Sequence, residues 1–128
     1  MNKPEQALGI VIKAAGAALA VGVALVASGP AHAASIDKGK TLVEAHNCAA
    51  CHGANFNKPI SSEYPKLAGQ HADYLVAAMR QYQMGTDNPL WGRGNAIMKV
   101  QVQSLSVNDM QDIAAYIESL PGDLVNKK

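Results

Sequence analysis

Three stretches of the chain repeat apolar residues at intervals of three and four, which is the spacing of an α-helix. The first lies within residues 36–43, and the second spans residues 70–84 with Gly85 placed to end it. The third occupies residues 107–120, after a Ser-x-x-Asp pattern that resembles a capping box and before the helix-breaking pair 121–122. The apolar positions are Ile36, Gly39, Leu42 and Val43; Leu75, Ala78, Met79 and Tyr82; and Val107, Met110, Ile113, Ala114, Ile117 and Leu120.

The segments between these stretches favour loops. Residues 56–69 and 86–95 are rich in Asn, Ser, Pro and Gly, which are residues of turns. Residues 99–103 alternate polar and apolar side chains, as a strand does, but the run is short and isolated. The pattern therefore predicts an all-α chain.

The first 33 residues resemble a secretory signal peptide. Lys3 and Lys13 precede the unbroken small and apolar run 14–28, and the sequence Ala-His-Ala at 31–33 has small residues where a signal peptidase reads them. The alternative is an uncleaved membrane anchor. A membrane span needs about 20 predominantly apolar residues, and the run 14–28 is shorter than that. We therefore expect a signal peptide at 1–33, cleavage near Ala33 and a single domain at 34–128.

The charge of the chain is balanced. It has 11 basic and 10 acidic residues, and removal of the predicted leader takes away Lys3, Lys13 and Glu5, which leaves 9 of each sign. A chain without a basic excess lacks the footprint of a nucleic-acid-binding protein. Only 19 of the 95 residues from 34 to 128 are Leu, Ile, Val or Phe. We expect such a domain to need a bound apolar group to complete its core.

Two cysteines and a histidine form the motif Cys48-Ala-Ala-Cys51-His52. This spacing is typical of covalent c-type haem attachment. Each thiol can form a thioether with one vinyl group of the same porphyrin, and the adjacent imidazole can bind the iron as proximal ligand. The motif predicts one haem c, attached through Cys48 and Cys51, with His52 on the iron.

Other interpretations of the cysteine pair are a structural disulfide, a thioredoxin-like redox site and half of a zinc ribbon. A thioredoxin-like site would need a βαβ context, which the pattern does not provide. A zinc ribbon would need a second Cys/His pair, and the remaining histidines are His32, His46 and His71. A disulfide and a zinc site are the alternatives to haem.

The segment around this motif resembles the opening of a class I cytochrome c. Residues 39–53, residues 64–70 with Tyr74-Leu75, and residues 105–120 are similar to the first, middle and last parts of the small single-haem bacterial members and of the halves of di-haem cytochromes. The resemblance implies a compact all-α fold in which the N- and C-terminal helices cross around one covalent haem.

The resemblance also assigns roles to single residues. Gly39 matches the small residue at the helix crossing, and Tyr116 matches its aromatic partner on the last helix. The position that is usually aromatic on the first helix is Val43 here. Pro65 matches the proline whose carbonyl oxygen accepts a hydrogen bond from the proximal histidine, which fixes the ring.

The second axial ligand implied by the resemblance is Met98, which follows the glycine-rich loop. His71 is the alternative ligand, although its position at the start of an amphipathic helix favours the surface, and we expect His46 to be exposed. Met79, Met84 and Met110 fall within predicted helices and are expected to pack there. Candidates for the haem pocket, for each of which ordinary packing is an equal interpretation, are Leu67, Leu75, Ile97, Tyr74, Tyr82, Trp91 and Arg93.

This ligand set implies a function. With His52 and Met98 both bound, iron has no vacant position, so we expect a non-enzymatic one-electron carrier in the periplasm that exchanges electrons with redox proteins. Alternatives are an electron-transfer subunit of a periplasmic dehydrogenase and a five-coordinate haem protein that binds peroxide or a small gas. We expect no nucleic-acid partner, no stable membrane insertion after leader removal, and a monomer or weak dimer.

Overall fold

The computed structural model describes residues 31–124, and the predicted leader lies almost wholly outside this range. The helices are α1 (Ile36–Ala45), α2 (Ala49–His52), α3 (Ala72–Met84), α4 (Ala96–Val102) and α5 (Val107–Ser119), with a 3₁₀ turn at Gly85–Asp87. No strand occurs among the described residues, so the predicted all-α class is confirmed. None of these helices combines the length and apolar composition needed to cross a membrane.

The first and last helices cross at a glycine. Gly39 of α1 is buried against α5, where a Cβ atom on Gly39 would lie 2.0 Å from the carbonyl oxygen of Asp112 and 2.8 Å from Cβ of Tyr116. Any side chain at this position would force the two backbones apart. The expected roles of Gly39 and Tyr116 at the crossing are confirmed.

The aromatic partner of Tyr116 comes from the loop after α2 and not from the first helix. Val43 is buried in the core at the position that the resemblance marks as usually aromatic. The ring that meets Tyr116 comes from Phe56, in an edge-to-face arrangement with centroids 6.3 Å apart. Phe56 has a φ of 57°, which is strained for a bulky residue, and it is held by burial of its ring.

The loop from 56 to 69 is tied to the core through backbone hydrogen bonds. The carbonyl oxygen of Phe56 accepts from the N–H groups of Leu67 and Ala68, at 2.7 and 3.0 Å. The N–H of Gly69 donates to the carbonyl oxygen of Ile117 at 3.0 Å, which joins the end of the loop to α5. The predicted loop is therefore confirmed, and its path is fixed by bonds at both ends.

Helix α5 begins with the expected capping box. The Ser106 hydroxyl accepts from the N–H of Asp109 at 3.1 Å, and the Asp109 carboxylate accepts from the N–H of Ser106 at 3.1 Å. The Ser106 hydroxyl and N–H stabilise the ionised carboxylate and so lower the pKa of Asp109. Two of the four unpaired N–H groups at this helix start are satisfied in this way.

Helix α4 was not predicted. Its first turn is capped by the Asn95 side chain, which accepts from the N–H of Met98 at 2.9 Å. At its other end, the Gln83 side chain donates to the carbonyl oxygens of Val102 and Leu105 at 2.7 and 2.9 Å. Val102 is 2% exposed whereas Val100 is 74% exposed. Residues two apart lie about 200° apart on a helix, so five alternating residues are compatible with a helix as well as with a strand.

We expect Gly39→Ala to destabilise the domain by about 2–3 kcal/mol, because the added Cβ would overlap the Asp112 carbonyl and separate α1 from α5. Lys40→Ala changes the neighbouring exposed position of the same helix and is the matched control. Urea unfolding of the haem-loaded proteins measures both changes. Equal stability of the two variants would show that the crossing is not close-packed at Gly39.

Candidate functional site

A cavity of about 550 Å³ lies between the Cys48–His52 segment and helices α3, α4 and α5. Its volume is within the range of small-molecule and cofactor sites. Cys48, Cys51, His52 and Met98, the four residues expected from the sequence to hold a haem, all line this cavity. Apolar side chains from these three helices also line the cavity, among them Leu75, Ala78, Val102, Ile113 and Ile117.

The short helix α2 brings the motif residues together. The N–H of His52 donates to the carbonyl oxygen of Cys48 at 3.1 Å, which closes one helical turn. Residues three and four positions apart share one face of a helix. Cys48, Cys51 and His52 therefore face the same cavity, as attachment to one flat group requires.

The turn after His52 requires glycine. Gly53 has a φ of 83°, in the left-handed region, and a Cβ there would lie 1.9 Å from the carbonyl oxygen of Lys58. The chain then folds back, and the N–H of Ile60 donates to the carbonyl oxygen of Cys51 at 3.1 Å. This return brings the loop that contains Pro65 against the histidine.

His52 is oriented by a single backbone acceptor. The residue is 6% exposed, and its Nδ1 lies 3.0 Å from the carbonyl oxygen of Pro65. Because a carbonyl oxygen can only accept, Nδ1 carries the proton and donates it, so in the neutral imidazole Nε2 holds the lone pair. This tautomer is the one that a metal-binding imidazole needs. The expected contact with Pro65 is confirmed.

The cysteines show the features of attachment residues. No disulfide joins Cys48 and Cys51. Burial raises the pKa of the Cys48 thiol, which disfavours a thiolate, whereas an uncharged thioether pays no such penalty. Within residues 31–124 no group of three or more His, Cys, Asp or Glu side chains is placed to hold a metal ion, so the zinc alternative finds no ligand set there.

Two methionines line the cavity. Met98 lies in the first turn of α4 and is half-buried. Met79 lies on α3, packs against the core and also reaches the cavity wall, a position that the sequence pattern did not separate from simple packing. Met110 is fully buried in the core, as expected. The cavity thus has a thioether at two positions besides its imidazole.

Arg93 is held between two tyrosine rings at the cavity wall. Its guanidinium carbon lies 5.4 Å from the ring centroid of Tyr74 and 5.6 Å from that of Tyr82. One guanidinium nitrogen is 3.3 Å from the Tyr74 hydroxyl, a bond that raises the pKa of Arg93. The N–H of Arg93 also donates to the carbonyl oxygen of Gln81 at 2.9 Å. A fixed positive charge therefore borders the site.

Most of the predicted pocket residues are confirmed, but not all. Leu67, Leu75, Ile97, Tyr74, Tyr82 and Arg93 line the cavity. Trp91 does not, because it lies in the loop before α4 with 66% of its surface exposed. His71 is exposed beside Glu118 at 3.6 Å, whereas His46 is half-buried at the end of α1 and not exposed as predicted.

Three cavity-lining residues beside Met98 were missed. Gln101 and Val102 belong to α4, and Leu105 follows that helix by three residues. Their signal in the sequence was the Asn95 cap, which precedes Met98 by three residues, but the helix that follows is too short for periodicity to identify. Met79 was placed correctly on its helix, yet only the fold shows that its face looks toward the motif.

Comparison with known proteins gives the family. Residues 36–121 match the family model described as Cytochrome c. A cytochrome c4 from Stutzerimonas stutzeri is 36% identical over 76% of this chain and 47% of its own length. A thiosulfate dehydrogenase electron acceptor from Thiomonas intermedia is 34% identical over 60% of this chain and 33% of its own length.

A solved structure agrees with the fold. The reduced recombinant cytochrome c4 from Pseudomonas stutzeri has a TM-score of 0.62 and 33% identity, over 71% of this chain and 48% of that one. The chain therefore spans less than half the length of these relatives.

The donor set fits the cofactor of this family. Two cysteines without a disulfide, a histidine with a free Nε2 lone pair and a largely apolar cavity meet the requirements of a covalently held porphyrin. The chain belongs to the cytochrome c family, with the class I all-α fold, and carries one haem c attached through Cys48 and Cys51.

Proposed function

We propose that the protein is a one-electron carrier whose haem iron is bound on its two faces by His52 and Met98. The observation that carries this proposal is that the cysteine pair, the buried imidazole of His52 and the Met98 side chain all line one cavity. Bound haem supplies a one-electron change between ferrous and ferric iron. The protein residues hold that group, exclude water and adjust its potential.

His52 and Met98 have different tasks. The Pro65 carbonyl keeps the proton of His52 on Nδ1, which leaves Nε2 as the stronger donor. The thioether of Met98 is an uncharged, polarisable ligand, and His/Met ligation raises the potential. When both positions on the iron are filled by side chains, small molecules cannot bind without displacing one of them. This is why we favour electron transfer over peroxide or gas chemistry.

Transient redox partners are the expected contacts of the protein. The name of one relative, thiosulfate dehydrogenase electron acceptor, supports a role as acceptor from a dehydrogenase. Electron-transfer contacts are small and short-lived, which suits a chain with balanced charge. We further propose that the protein is exported and works in the periplasm, because residues 1–33 have the pattern of a cleaved leader.

Met98→Ala should abolish the weak red absorption band of sulfur-to-iron ligation in the ferric protein and should allow rapid carbon monoxide binding in the ferrous protein. Met79→Ala is the matched control, because Met79 lines the same cavity from α3. Visible spectra in both redox states measure the effect. Retention of the band in Met98→Ala and its loss in Met79→Ala would assign the ligand to α3 instead.

Arg93→Gln should lower the reduction potential by on the order of 50 mV, because removal of a positive charge from the cavity wall would favour the ferric state of a haem held there. Arg80→Gln removes an exposed charge from α3 outside the cavity wall and should change the potential much less. Spectroelectrochemical titration compares the two. An equal shift in both variants would indicate a general charge effect and no special role of the Tyr74–Arg93–Tyr82 arrangement.

The Cys48→Ala, Cys51→Ala double variant, prepared without haem, should lose most of its helical circular dichroism. An unfilled cavity of about 550 Å³ would cost on the order of 10 kcal/mol at about 24 cal/mol per Å³. That cost is comparable to the whole stability of a small domain. A cooperative thermal transition with native helix content in this variant would contradict the expectation.

A further inference from the structure

A buried carboxylate lies where the chain enters α1. Asp112 of α5 is 0% exposed, and its Oδ1 accepts from the N–H of Ser35 at 2.8 Å and from Nε2 of His32 at 2.7 Å. The ammonium group of Lys38 forms an ion pair with Oδ2 at 3.0 Å. Apart from that ion pair, Oδ2 accepts no hydrogen bond from the described part of the chain.

These partners keep the carboxylate ionised. Burial alone would raise the pKa of Asp112, but the Ser35 N–H, the Lys38 ammonium and the His32 imidazole together lower it. Asp109 competes for the same lysine, with its Oδ1 3.3 Å from the Lys38 ammonium. Removal of one partner from a buried anion strongly destabilises a protein. The loss of any group around Asp112 should therefore weaken the α1–α5 crossing.

One of these partners lies on the leader side of the predicted cleavage point. Hydrolysis of the Ala33–Ala34 peptide bond consumes one water and leaves a carboxylate on Ala33 and an ammonium group on Ala34. His32 departs with the leader, and Ala34 becomes the first residue. Ala34 directly precedes Ser35, so its nitrogen lies within one residue, about 3.8 Å along the chain, of a group already bonded to Asp112.

We propose that Asp112 is the binding site for the new N terminus: leader removal after Ala33 exchanges the His32 imidazole for the α-ammonium group of Ala34 at this carboxylate. The inference rests on the proposed export and leader cleavage, and it does not depend on the ligands of the iron. Asp112 then has a role in maturation, because the α-ammonium group that pairs with it forms only when the leader is removed.

The exchange strengthens the pair near neutral pH. An α-amino group stays protonated until about pH 8. At pH 7 the processed chain therefore offers the carboxylate an ammonium group with three N–H donors, where the ring nitrogen of His32 offers one. The added stability acts at the first turn of α1, one helical turn before the crossing at Gly39.

The pH window follows from the two groups. Asp112, whose pKa is lowered by folding, contributes stability above the ordinary aspartate range and loses it as pH falls through its own pKa. The α-ammonium group should have a raised pKa in the folded protein, so its contribution is complete below the ordinary α-amino range and is lost as pH rises through that raised pKa. The pair should therefore stabilise the fold most between about pH 5 and 8.

The test compares two haem-loaded proteins, one beginning at Ala34 and one beginning at Ala31, which keeps His32. At pH 7 the form beginning at Ala34 should melt about 5 °C higher. The difference should disappear in the Asp112→Asn background. Asp37→Asn, at an exposed acidic residue in the first turn of α1, is the matched control and should leave the difference unchanged.

Mass spectrometry of the exported protein must also give a chain that starts at Ala34. A different start, equal melting temperatures at pH 7, or a difference that survives in Asp112→Asn would each overturn the proposal. If Asp112→Asn does not fold, titration of the Ala34 α-amino group by NMR in the unchanged protein decides instead. A raised pKa supports the pair, and an ordinary pKa refutes it.

Discussion

The contact between the backbones of α1 and α5 at Gly39 is the constraint on which the rest of the structure depends. With no side chain at Gly39, the Asp112 carbonyl can approach the first helix directly. The motif segment follows α1 by a few residues, so this contact also sets where Cys48 and His52 lie relative to α5. Ile113 and Ile117 of α5 can then line the same cavity as the motif.

A second constraint acts within the site, on the imidazole ring of His52. Gly53 reverses the chain, the loop returns, and the Pro65 carbonyl accepts the Nδ1 proton of His52 at 3.0 Å. A buried imidazole held by one acceptor has a defined tautomer and little freedom to rotate. Helices α3 and α4 and the loop between them add thioether, aromatic and guanidinium groups to the lining of the same cavity. These are residue types that can bind or border a haem and adjust its potential.

The predictions that depended on interactions between residues close together in the sequence were correct. The Ser106 capping box, the Gly85 helix end and the long apolar periodicity of α3 and α5 each act within a few residues. The weak signals failed where burial was decided by distant partners. Val100 and Val102 alternate as in a strand, yet they belong to α4, whose end is held by Gln83 from another helix. Trp91 looked suited to a pocket, but its loop turns the side chain to solvent.

The sequence by itself determined the family chemistry, because thioether attachment and the adjacent imidazole need only the fixed spacing of Cys48, Cys51 and His52. It also determined the helical class, since periodicity and caps are local properties. Only the tertiary structure decided that Met79 shares a cavity wall with Met98, that Arg93 lies between two tyrosine rings, and that Asp112 is buried against the chain before α1. Those facts arise from contacts between residues far apart in sequence, and a residue's spacing along the chain carries no record of the partner it meets after folding.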